Sequence, residues 1–492
     1  MNRKIVFYML GRIIQLESIL LMLPLICAAI YGEKDAVMTF FITSVTAIAA
    51  GTFLTLAGKT KNKTFYAKEG FVIVAFAWIV MSAIGAMPFC ISGAIPSFTD
   101  AFFETVSGFT TTGASIVPNI EEITSKGILF WRSFTHWIGG MGVLVLVMAI
   151  LPSDSGRSMH IMRAEMPGPI VGKLVPKIRS TAKILYLIYI VLTLIQVVFL
   201  LCGGMSLFES LVHSFGTAGT GGFGIKANSI GGYSPYIQWV ITVFMLIFGI
   251  NFNLFYLILL RKIKAVLKSE ELWVYIALAV GSIALITFNV TRTMDNVGTL
   301  SDTIRESSFQ VASIMTTTGY STANFDLWPQ LSKTILIILM LIGGCAGSTA
   351  GGLKVSRVIL LLKQIKSNLK RMIHSRSVDS VRFEGKCLDN ATVDGVTGYL
   401  AIYIFCFGIV LFILSFETAF DFETNFTATL ACFNNIGPGL GGVGPTCSFA
   451  DFSAVSKWVL SLTMLLGRLE IYPLILLFSP YVWSKSRKRK TA

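Results

Sequence analysis

The sequence predicts an all-α polytopic membrane protein. Four pseudo-fourfold, channel-like M1–P–M2 repeats (outer helix, re-entrant segment, inner helix) surround a central pore, and two extra transmembrane helices precede them. Three observations predict this fold. First, 54% of the residues are hydrophobic, 13% are charged and the mean hydropathy is +0.73. Second, apolar stretches long enough to cross a bilayer as helices recur along the chain. Third, a Thr/Gly-rich run recurs four times between such stretches.

Ten apolar stretches could each span a membrane, and the eighth is interrupted by small residues. They are 5–31, 36–58, 70–93, 127–151, 184–203, 236–260, 272–292, 333–361, 396–417 and 457–482. The predicted division is 1–62 for the two N-terminal helices, then repeats at 63–160, 161–268, 269–375 and 376–492. The fourth repeat ends in a basic cytosolic tail.

The charges predict the orientation of these spans. Lys and Arg concentrate in alternate segments, namely 59–69, 152–183, 353–393 and the tail 485–490, while the intervening segments are acid-rich. Because basic loops stay on the cytoplasmic side, both termini are expected inside and all four Thr/Gly runs outside. The net charge of +14 therefore reflects topology and gives no indication of a nucleic-acid partner. The first apolar stretch is expected to be a retained signal anchor.

The Thr/Gly runs share a register. They are TTTGAS (110–115), TGGFG (220–224), TTTGYST (316–322) and NNIGPG (434–439), and their common positions are Gly113, Gly222, Gly319 and Gly437. We call these four the register glycines. Irregular backbone at membrane depth is tolerated only where it is buried in protein or lines water. Glycine adopts cheaply the backbone angles that turn carbonyls toward one axis, where they can replace the water around a cation.

A short helix is predicted before each run. Thirteen positions before the register glycines stand Asp100, Glu209, Glu306 and Thr424, the last preceded by Glu423. Acidic residues suit the positive end of such a helix. Ser206 and Glu209 have the spacing of a capping box. The carbonyl end of each helix would then point toward the glycine run.

The inner helix of the third repeat contains GGCAGSTAGG at 343–352. Each Gly costs about 1 kcal/mol relative to Ala in a helix, so five glycines in ten residues predict a break. Close helix packing through small residues is the alternative. We expect a flexible loop below the filter that acts as a gate. Its residues are Gly343, Gly344, Cys345, Ala346, Gly347, Ser348, Thr349, Ala350, Gly351 and Gly352.

Arg468 is predicted to lie near the middle of the last span. A charge there costs about 2.5–3.5 kcal/mol on insertion scales, so it should face the pore or a partner. Glu470 points to another side of the helix and is a poor partner for it. The hypothesis is that Arg468 projects below the filter, meets the carbonyls of 343–352 and repels cations in the closed state.

These features together resemble the Trk/Ktr/HKT superfamily of cation transporters, and within it the bacterial TrkH-type potassium-uptake subunits. The features are the four repeats, one Gly per filter segment, the break in the third inner helix and the arginine in the fourth. The resemblance implies potassium as the transported ion, with Gly113 favouring potassium over sodium, and no organic cofactor in this chain. It implies a filter of Thr111, Thr112, Gly113, Thr220, Gly221, Gly222, Thr317, Thr318, Gly319, Asn435, Ile436 and Gly437.

The resemblance also implies partners and a location. These are the lipid bilayer of the bacterial inner membrane, a homodimer with one pore in each protomer, and a cytosolic TrkA-type nucleotide-binding ring that docks on the inner face and controls the gate. A sodium- or proton-coupled cation symporter of the same superfamily is the alternative function. A carrier of inverted repeats is disfavoured, because these four repeats share one orientation by their charges.

Two other readings carry little weight. The GxGxxG patterns at 219–224 and 439–444 do not sit in a βαβ unit, so they do not indicate nucleotide binding. An intramembrane hydrolase using Ser348 and His136 lacks a GxSG motif or paired intramembrane aspartates, and His136 is expected to serve in packing. The eight cysteines show no CxxC spacing, so they predict neither a disulfide framework nor a metal site.

Overall fold

The computed structural model describes residues 1–60, 67–142, 178–294, 298–374 and 380–483. The described chain is mostly helical. Its helices are α1 Arg3–Leu20, α2 Met22–Ile30, α3 Lys34–Ala57, α4 Ala67–Ile91, α5 Phe98–Phe109, α6 Lys126–Gly140, α7 Ile178–Cys202, α8 Leu207–Gly219, α9 Pro235–Phe248, α10 Phe252–Leu259, α11 Ile263–Leu267, α12 Glu270–Thr293, α13 Leu300–Met315, α14 Gln330–Ile342, α15 Val355–Ile373, α16 Asn390–Leu414, α17 Phe422–Phe433, α18 Ala454–Arg468, α19 Tyr472–Leu477 and α20 Pro480–Trp483. A two-residue hairpin, β1 Arg382–Phe383 and β2 Lys386–Cys387, precedes α16.

Long apolar helices make this a multi-pass membrane protein. Within the described residues, six spans are long and apolar enough to cross a bilayer, α1 and α2 together forming the first. Large apolar side chains on these helices face outward, among them Phe53, Leu187 and Phe405, which are 62 to 70% exposed. Such exposure is stable where lipid surrounds the helix. The interior is aromatic, with Trp78 and Trp131 fully buried.

The predicted continuous span 236–260 is wrong. The structure divides it into α9 and α10, which meet at an angle of 91°. The intervening backbone bonds to another segment, since the N–H of Cys345 donates to the carbonyl of Gly249 (3.0 Å) and the N–H of Phe252 donates to the carbonyl of Gly347 (3.0 Å). Asn251 caps α10. The bend therefore depends on contacts with the third repeat, which the local sequence does not reveal.

Four short helices, α5, α8, α13 and α17, precede the Thr/Gly runs; we call them the pore helices. They contain 12 to 16 residues, which is too short to cross a membrane. The capping box of Ser206 and Glu209 is confirmed. In the third repeat the prediction from Glu306 is wrong, because α13 begins earlier and its capping box joins Thr299 to Asp302.

Two further inner helices are interrupted. Helix α14 ends at Ile342 and α15 begins at Val355, so 343–354 is non-helical; we call this segment the intramembrane loop. The last predicted span breaks after α18, where Glu470 and Ile471 have positive φ values of 55° and 67°. Arg468 is thus the last residue of α18, so it lies near the middle of the predicted span, but the prediction of one continuous span over 457–482 is wrong.

The division into repeats stays a prediction. Its boundary after residue 268 falls just before α12. The boundaries after residues 62, 160 and 375 lie outside the described residues, as do most of the basic segment 152–183 and the basic tail.

Candidate functional site

The four pore helices end in the same backbone motif. The residue two positions before each register glycine adopts a left-handed conformation with φ of 55°. The N–H of the next residue donates to the carbonyl five residues back, at 2.8 to 2.9 Å in all four repeats. This is a Schellman ending, in which glycine is the usual left-handed residue. Here the left-handed residues are Thr111, Thr220, Thr317 and Asn435.

The register glycines are left-handed as well. Their φ values are 79°, 74°, 86° and 101° for Gly113, Gly222, Gly319 and Gly437. The residue between each pair of left-handed positions has no positive φ. A chain that alternates in hand turns successive peptide carbonyls toward the same side. The four runs therefore have the backbone geometry that a carbonyl-lined cation site requires.

The register glycines also form a closed ring. A β-carbon on Gly113 would collide with the carbonyl oxygen of Gly221 in the second repeat. The same relation holds from Gly222 to Thr318 in the third repeat, and from Gly319 to Ile436 in the fourth. A β-carbon on Gly437 would lie 2.8 Å from the carbonyl oxygen of Thr112 in the first repeat. Each glycine thus lets its loop approach the carbonyl of the next loop.

Side chains make the ring only pseudo-symmetric. The hydroxyls of Thr110 and Thr112 lie 2.7 Å apart, and those of Thr316 and Thr318 lie 2.8 Å apart. The second repeat has glycines at the matching positions, and the fourth has Asn434 and Ile436. In place of a hydroxyl pair, the fourth repeat has Asn435, whose amide N–H groups donate to the hydroxyl of Thr112 and to the carbonyl of Met464, both at 2.9 Å.

A cavity of about 120 Å³ adjoins the ring. All four register glycines line its floor, together with residues that follow them in each repeat. The walls include Arg132, whose guanidinium lies 3.5 Å from the centre of the Phe223 ring. Arg132 and its partner Glu104 are functional candidates that the sequence analysis missed.

The intramembrane loop touches the other side of the ring. The N–H of Gly351 donates to the hydroxyl of Thr317 (2.6 Å), and the N–H of Gly352 donates to the carbonyl of Asn434 (3.1 Å). A β-carbon on Gly351 would collide with that same carbonyl. The structure therefore brings the predicted gate and the predicted filter into direct contact.

Arg468 donates to three backbone carbonyls. Its guanidinium reaches the oxygens of Gly139 (2.6 Å) and Gly140 (2.7 Å) at the end of α6, and of Thr349 (3.0 Å) in the intramembrane loop. The expected contact with the loop is thus present at Thr349, while two of the three acceptors lie in the first repeat. Arg468 joins the first, third and fourth repeats at one point.

Charged residues that the sequence analysis passed over also hold the intramembrane loop. Glu271, in the first turn of α12, accepts from the N–H groups of Ala346 (2.7 Å) and Ser356 (3.1 Å). The ammonium of Lys354 donates to the carbonyl of Ala350. Charges in apolar surroundings were the available signal for both residues, but the sequence does not tell which backbone groups they meet.

The hairpin of β1 and β2 supports the helix that carries Glu271. Glu384, between β1 and β2, accepts from the hydroxyl of Ser269 (2.9 Å) and the N–H of Glu271 (3.1 Å). Just after the intramembrane loop, Arg357 of α15 forms an ion pair with Glu470 at 2.6 Å. Contacts from five separate segments, at 249–252, 271, 317, 434 and 468–470, therefore converge on 343–357.

His136 and Ser348 make separate contacts. The Nδ1 of His136 bonds to the carbonyl of Gly108 (2.8 Å), its ring packs on Phe223, and its Nε2 has no hydrogen-bond partner. Ser348 donates to the carbonyl of Cys345 (2.7 Å). The two side chains do not form a dyad, and the packing role predicted for His136 agrees with these contacts.

Fold and site together define a polytopic membrane transport protein with four re-entrant helix–loop segments gathered in one ring. The family of cation transport proteins called TrkH matches residues 36–486. The chain belongs to this family, which consists of transporters and not of enzymes.

Relatives match over nearly the whole length. The Trk system potassium uptake proteins TrkH of Salmonella typhimurium and of Escherichia coli K12 are each 37% identical, covering 98% of this chain and 100% of the relative. The crystal structure of the potassium transporter TrkH from Vibrio parahaemolyticus superimposes with a TM-score of 0.87 at 34% identity. It covers 98% of this chain and 100% of that one.

Proposed function

We propose that this protein takes up potassium across the bacterial inner membrane through a gated pore. The filter is formed by the twelve residues of the four Thr/Gly runs predicted from the sequence. The observation that carries the proposal is the closed ring in which each register glycine lies against a carbonyl of the next repeat. Relatives that share 37% of the sequence are potassium uptake proteins by name.

The proposed permeation step needs no chemical reaction. A potassium ion enters from the outward cavity, loses water and is coordinated by carbonyls of the four loops. The four pore helices point their carbonyl ends toward the same place and add negative potential there. Because each run offers few liganding carbonyls in sequence, we expect weaker selectivity and slower throughput than in a filter with a longer stack.

The intramembrane loop is the proposed gate. It lies directly against Thr317 and Asn434, so in this arrangement it obstructs the exit from the ring. Arg468 adds a positive charge at the same level, which raises the barrier for cations. Opening requires the contacts of Arg468 and Glu271 with the loop to rearrange. Five glycines make such a rearrangement inexpensive for the backbone.

Regulation is proposed to act from the cytosolic face. A TrkA-type nucleotide-binding ring would dock there, with both chain termini on the same side. The contacts from Glu384 to the start of α12, and from Glu271 to the loop, support a mechanical path from that face to the gate. The homodimer is proposed as well. Exposed apolar side chains on α15 support it, namely Leu362, Ile365, Leu369, Met372 and Ile373.

Growth rescue tests the potassium proposal. A bacterium that lacks its potassium uptake systems should grow at micromolar to millimolar potassium when it expresses this chain. Growth should depend on co-expression of a TrkA-type ring, which tests the regulatory part separately. Uptake of ⁸⁶Rb⁺ by the same cells, with and without added sodium, distinguishes a potassium pore from a sodium-coupled symporter.

The outcomes separate clearly. Rescue with sodium-independent ⁸⁶Rb⁺ uptake supports the proposal. Failure to rescue by a well-expressed protein, together with sodium-stimulated cation uptake, favours the symporter. Rescue that is unaffected by the ring would leave the pore in place and remove its proposed regulator.

A further inference from the structure

Side chains form hydrogen bonds with the backbone segment that follows each register glycine, and these side chains differ among the four repeats. Nine residues before the register glycines stand Glu104, His213, Gln310 and Ala428. This position lies on the pore helix, and in the first and third repeats its side chain bonds to the backbone segment that follows the glycine. The four loops have the same backbone conformation but different supporting side chains. These side chains can therefore give each loop its own rigidity.

In the first repeat the support is ionic. Glu104 accepts from the N–H of Ile116 (2.7 Å) and from the hydroxyl of Ser115 (3.1 Å), two to three residues beyond Gly113. Its carboxylate also pairs with Arg132 of α6 at 2.6 Å. The two side chains are 0% and 5% exposed, so the pair is fully enclosed.

Arg132 extends this support into the second repeat. Its guanidinium donates to the carbonyl of Gly224 (3.1 Å) and to the hydroxyl of Ser115 (3.0 Å), and it stacks on the ring of Phe223. In that repeat His213 bonds through Nδ1 to the carbonyl of Glu209, and its Nε2 has no hydrogen-bond partner. The Glu104–Arg132 ion pair thus holds the backbone segments that follow Gly113 and Gly222.

The other repeats use neutral groups. With its amide oxygen turned toward the loop, Gln310 accepts from the N–H groups of Thr322 (2.9 Å) and Ala323 (3.3 Å). In the fourth repeat the hydroxyl of Thr427 accepts from the N–H of Leu440 (3.0 Å). The chain therefore contains a natural comparison, because Gln310 does with an amide what Glu104 does with a carboxylate.

We infer that the Glu104–Arg132 pair determines ion specificity by fixing the contact between the first and second filter loops. This inference rests on the proposed potassium pore and deepens it. Potassium and sodium differ in the carbonyl spacing that suits them, so discrimination requires that the ring resist contraction. Gly113 lies against the carbonyl of Gly221, and the pair fixes the backbone within three residues on both sides of this contact.

The charge pair resists such movement better than a neutral bond would. Both groups are out of water, so separating them leaves two unsatisfied charges. Arg132 also presents a rigid planar fork whose several donors meet the carboxylate, a hydroxyl and a carbonyl at the same time. Glu104 and Arg132 are positioning residues, since they act on the ion through the backbone.

The test uses Glu104→Gln in the full-length protein reconstituted in liposomes. Gln keeps an acceptor for the N–H of Ile116, as Gln310 does in the third repeat, but it leaves Arg132 without its counter-charge. The measurement is inhibition of ⁸⁶Rb⁺ uptake by increasing external K⁺ or Na⁺. It gives the ratio of the inhibitory concentration of Na⁺ to that of K⁺, which is high for a potassium-selective pore. We expect that ratio to fall about tenfold while uptake persists.

Two further variants complete the experiment. Arg132→Lys retains the charge but removes the fork, and it should lower the ratio as well. Glu417→Gln is the control, because its carboxylate accepts from the N–H of Ser453 (3.2 Å) and the hydroxyl of Ser456 (2.8 Å) and contacts neither the filter runs nor the intramembrane loop. It should leave the ratio unchanged.

The outcomes distinguish this inference from the proposed function. Uptake that is selective for potassium in all variants would overturn the role of the pair while the pore stands. Loss of selectivity in Glu104→Gln and Arg132→Lys, but not in Glu417→Gln, supports it. Should Glu104→Gln fail to fold, Arg132→Lys alone decides between the two results. Failure of the unmodified protein to take up ⁸⁶Rb⁺ even when a TrkA-type ring is added would count against the pore itself.

Discussion

Two glycine-rich segments meet in the centre of this protein, and they are held in opposite ways. In the filter runs, a helix end, a left-handed residue and a regular pattern of backbone hydrogen bonds recur four times. The intramembrane loop has no such pattern. It is fixed by side chains and backbone groups from elsewhere in the chain, among them Arg468, Glu271 and the carbonyl of Gly249.

The difference shows that glycine content does not define a role. A glycine whose neighbours are bonded locally makes a stiff, closely packed backbone. A glycine whose neighbours are held by distant side chains gives a segment that can be released when those side chains move. We therefore expect substitutions in the filter to block permeation, and substitutions around the loop to increase leak.

The largest effect is expected from Gly113→Ala. The residue has a φ of 79°, and its new β-carbon would collide with the carbonyl of Gly221. We expect ⁸⁶Rb⁺ uptake to fall at least about 100-fold. Gly93→Ala is the control, because Gly93 has a φ of 74° but nothing within 4 Å of the new β-carbon. Equal uptake by the two variants would contradict the stiffness attributed to the filter.

Arg468→Ala should have the next largest effect, in the opposite direction. It removes a positive charge and three hydrogen bonds to carbonyls at the level of the loop. Hydrogen bonds to charged groups contribute about 1.5–3 kcal/mol each, so the loss of even one of them from the closed state should raise basal ⁸⁶Rb⁺ leak without the ring at least about tenfold. Arg292→Ala, on an exposed side chain stacked on Phe288, is the control. Unchanged leak at normal expression would remove Arg468 from the gate.

Glu271 offers a smaller and more discriminating test. Glu271→Ala removes the acceptor shared by Ala346 and Ser356, whereas Glu271→Gln keeps an oxygen that can accept from both. We expect the Ala variant to raise basal leak about fivefold, in line with the loss of about 1 kcal/mol of hydrogen bonding, and the Gln variant to resemble the unmodified protein. An equally raised leak in both variants would show that the charge of Glu271 matters and that its hydrogen bonds do not.

The smallest effect is expected outside both regions, at the outer loop residue Glu417. Hydrogen bonds from Ser453 and Ser456 lower the pKa of its carboxyl below the usual value. Its contribution to stability is therefore present above the ordinary carboxyl pKa and is lost as the pH falls through the lowered value. We expect Glu417→Gln to shift the thermal midpoint by less than about 2 °C at neutral pH and to reduce the loss on acidification.

That measurement has its own check. Permeation should be unaffected, because Glu417 contacts the start of α18 and neither the ring nor the loop. A change in ⁸⁶Rb⁺ uptake in Glu417→Gln would mean that the outer loops influence the filter more than the local bonding suggests.

The sequence predicted the elements that have local causes. Apolar length identified the long helices, and the spacing of Gly113, Gly222, Gly319 and Gly437 placed them in one register. Five glycines predicted the interruption at 343–352, and the structure has no helix there. These signals are readable because glycine and hydrophobic residues act on the backbone wherever they stand.

Features with distant causes could not be predicted in this way. The bend between α9 and α10 depends on bonds from Cys345 and Gly347, nearly a hundred residues away. Likewise, nothing near Glu104 identifies Arg132 as its partner, and nothing near Glu271 identifies the loop. The left-handed Thr111, Thr220 and Thr317 were missed because β-branched residues rarely adopt that conformation.

The closed ring has a consequence for how the protein is made. Its final junction joins the fourth repeat to the first, where Asn435 donates to Thr112 across a sequence separation of 323 residues. During synthesis and membrane insertion, three quarters of the ring must therefore wait without their closing neighbour until the end of the chain has emerged. A polypeptide that ends before the fourth repeat should accordingly form no pore at all, and not merely a weakened one. Closure of the ring is therefore a late step of assembly.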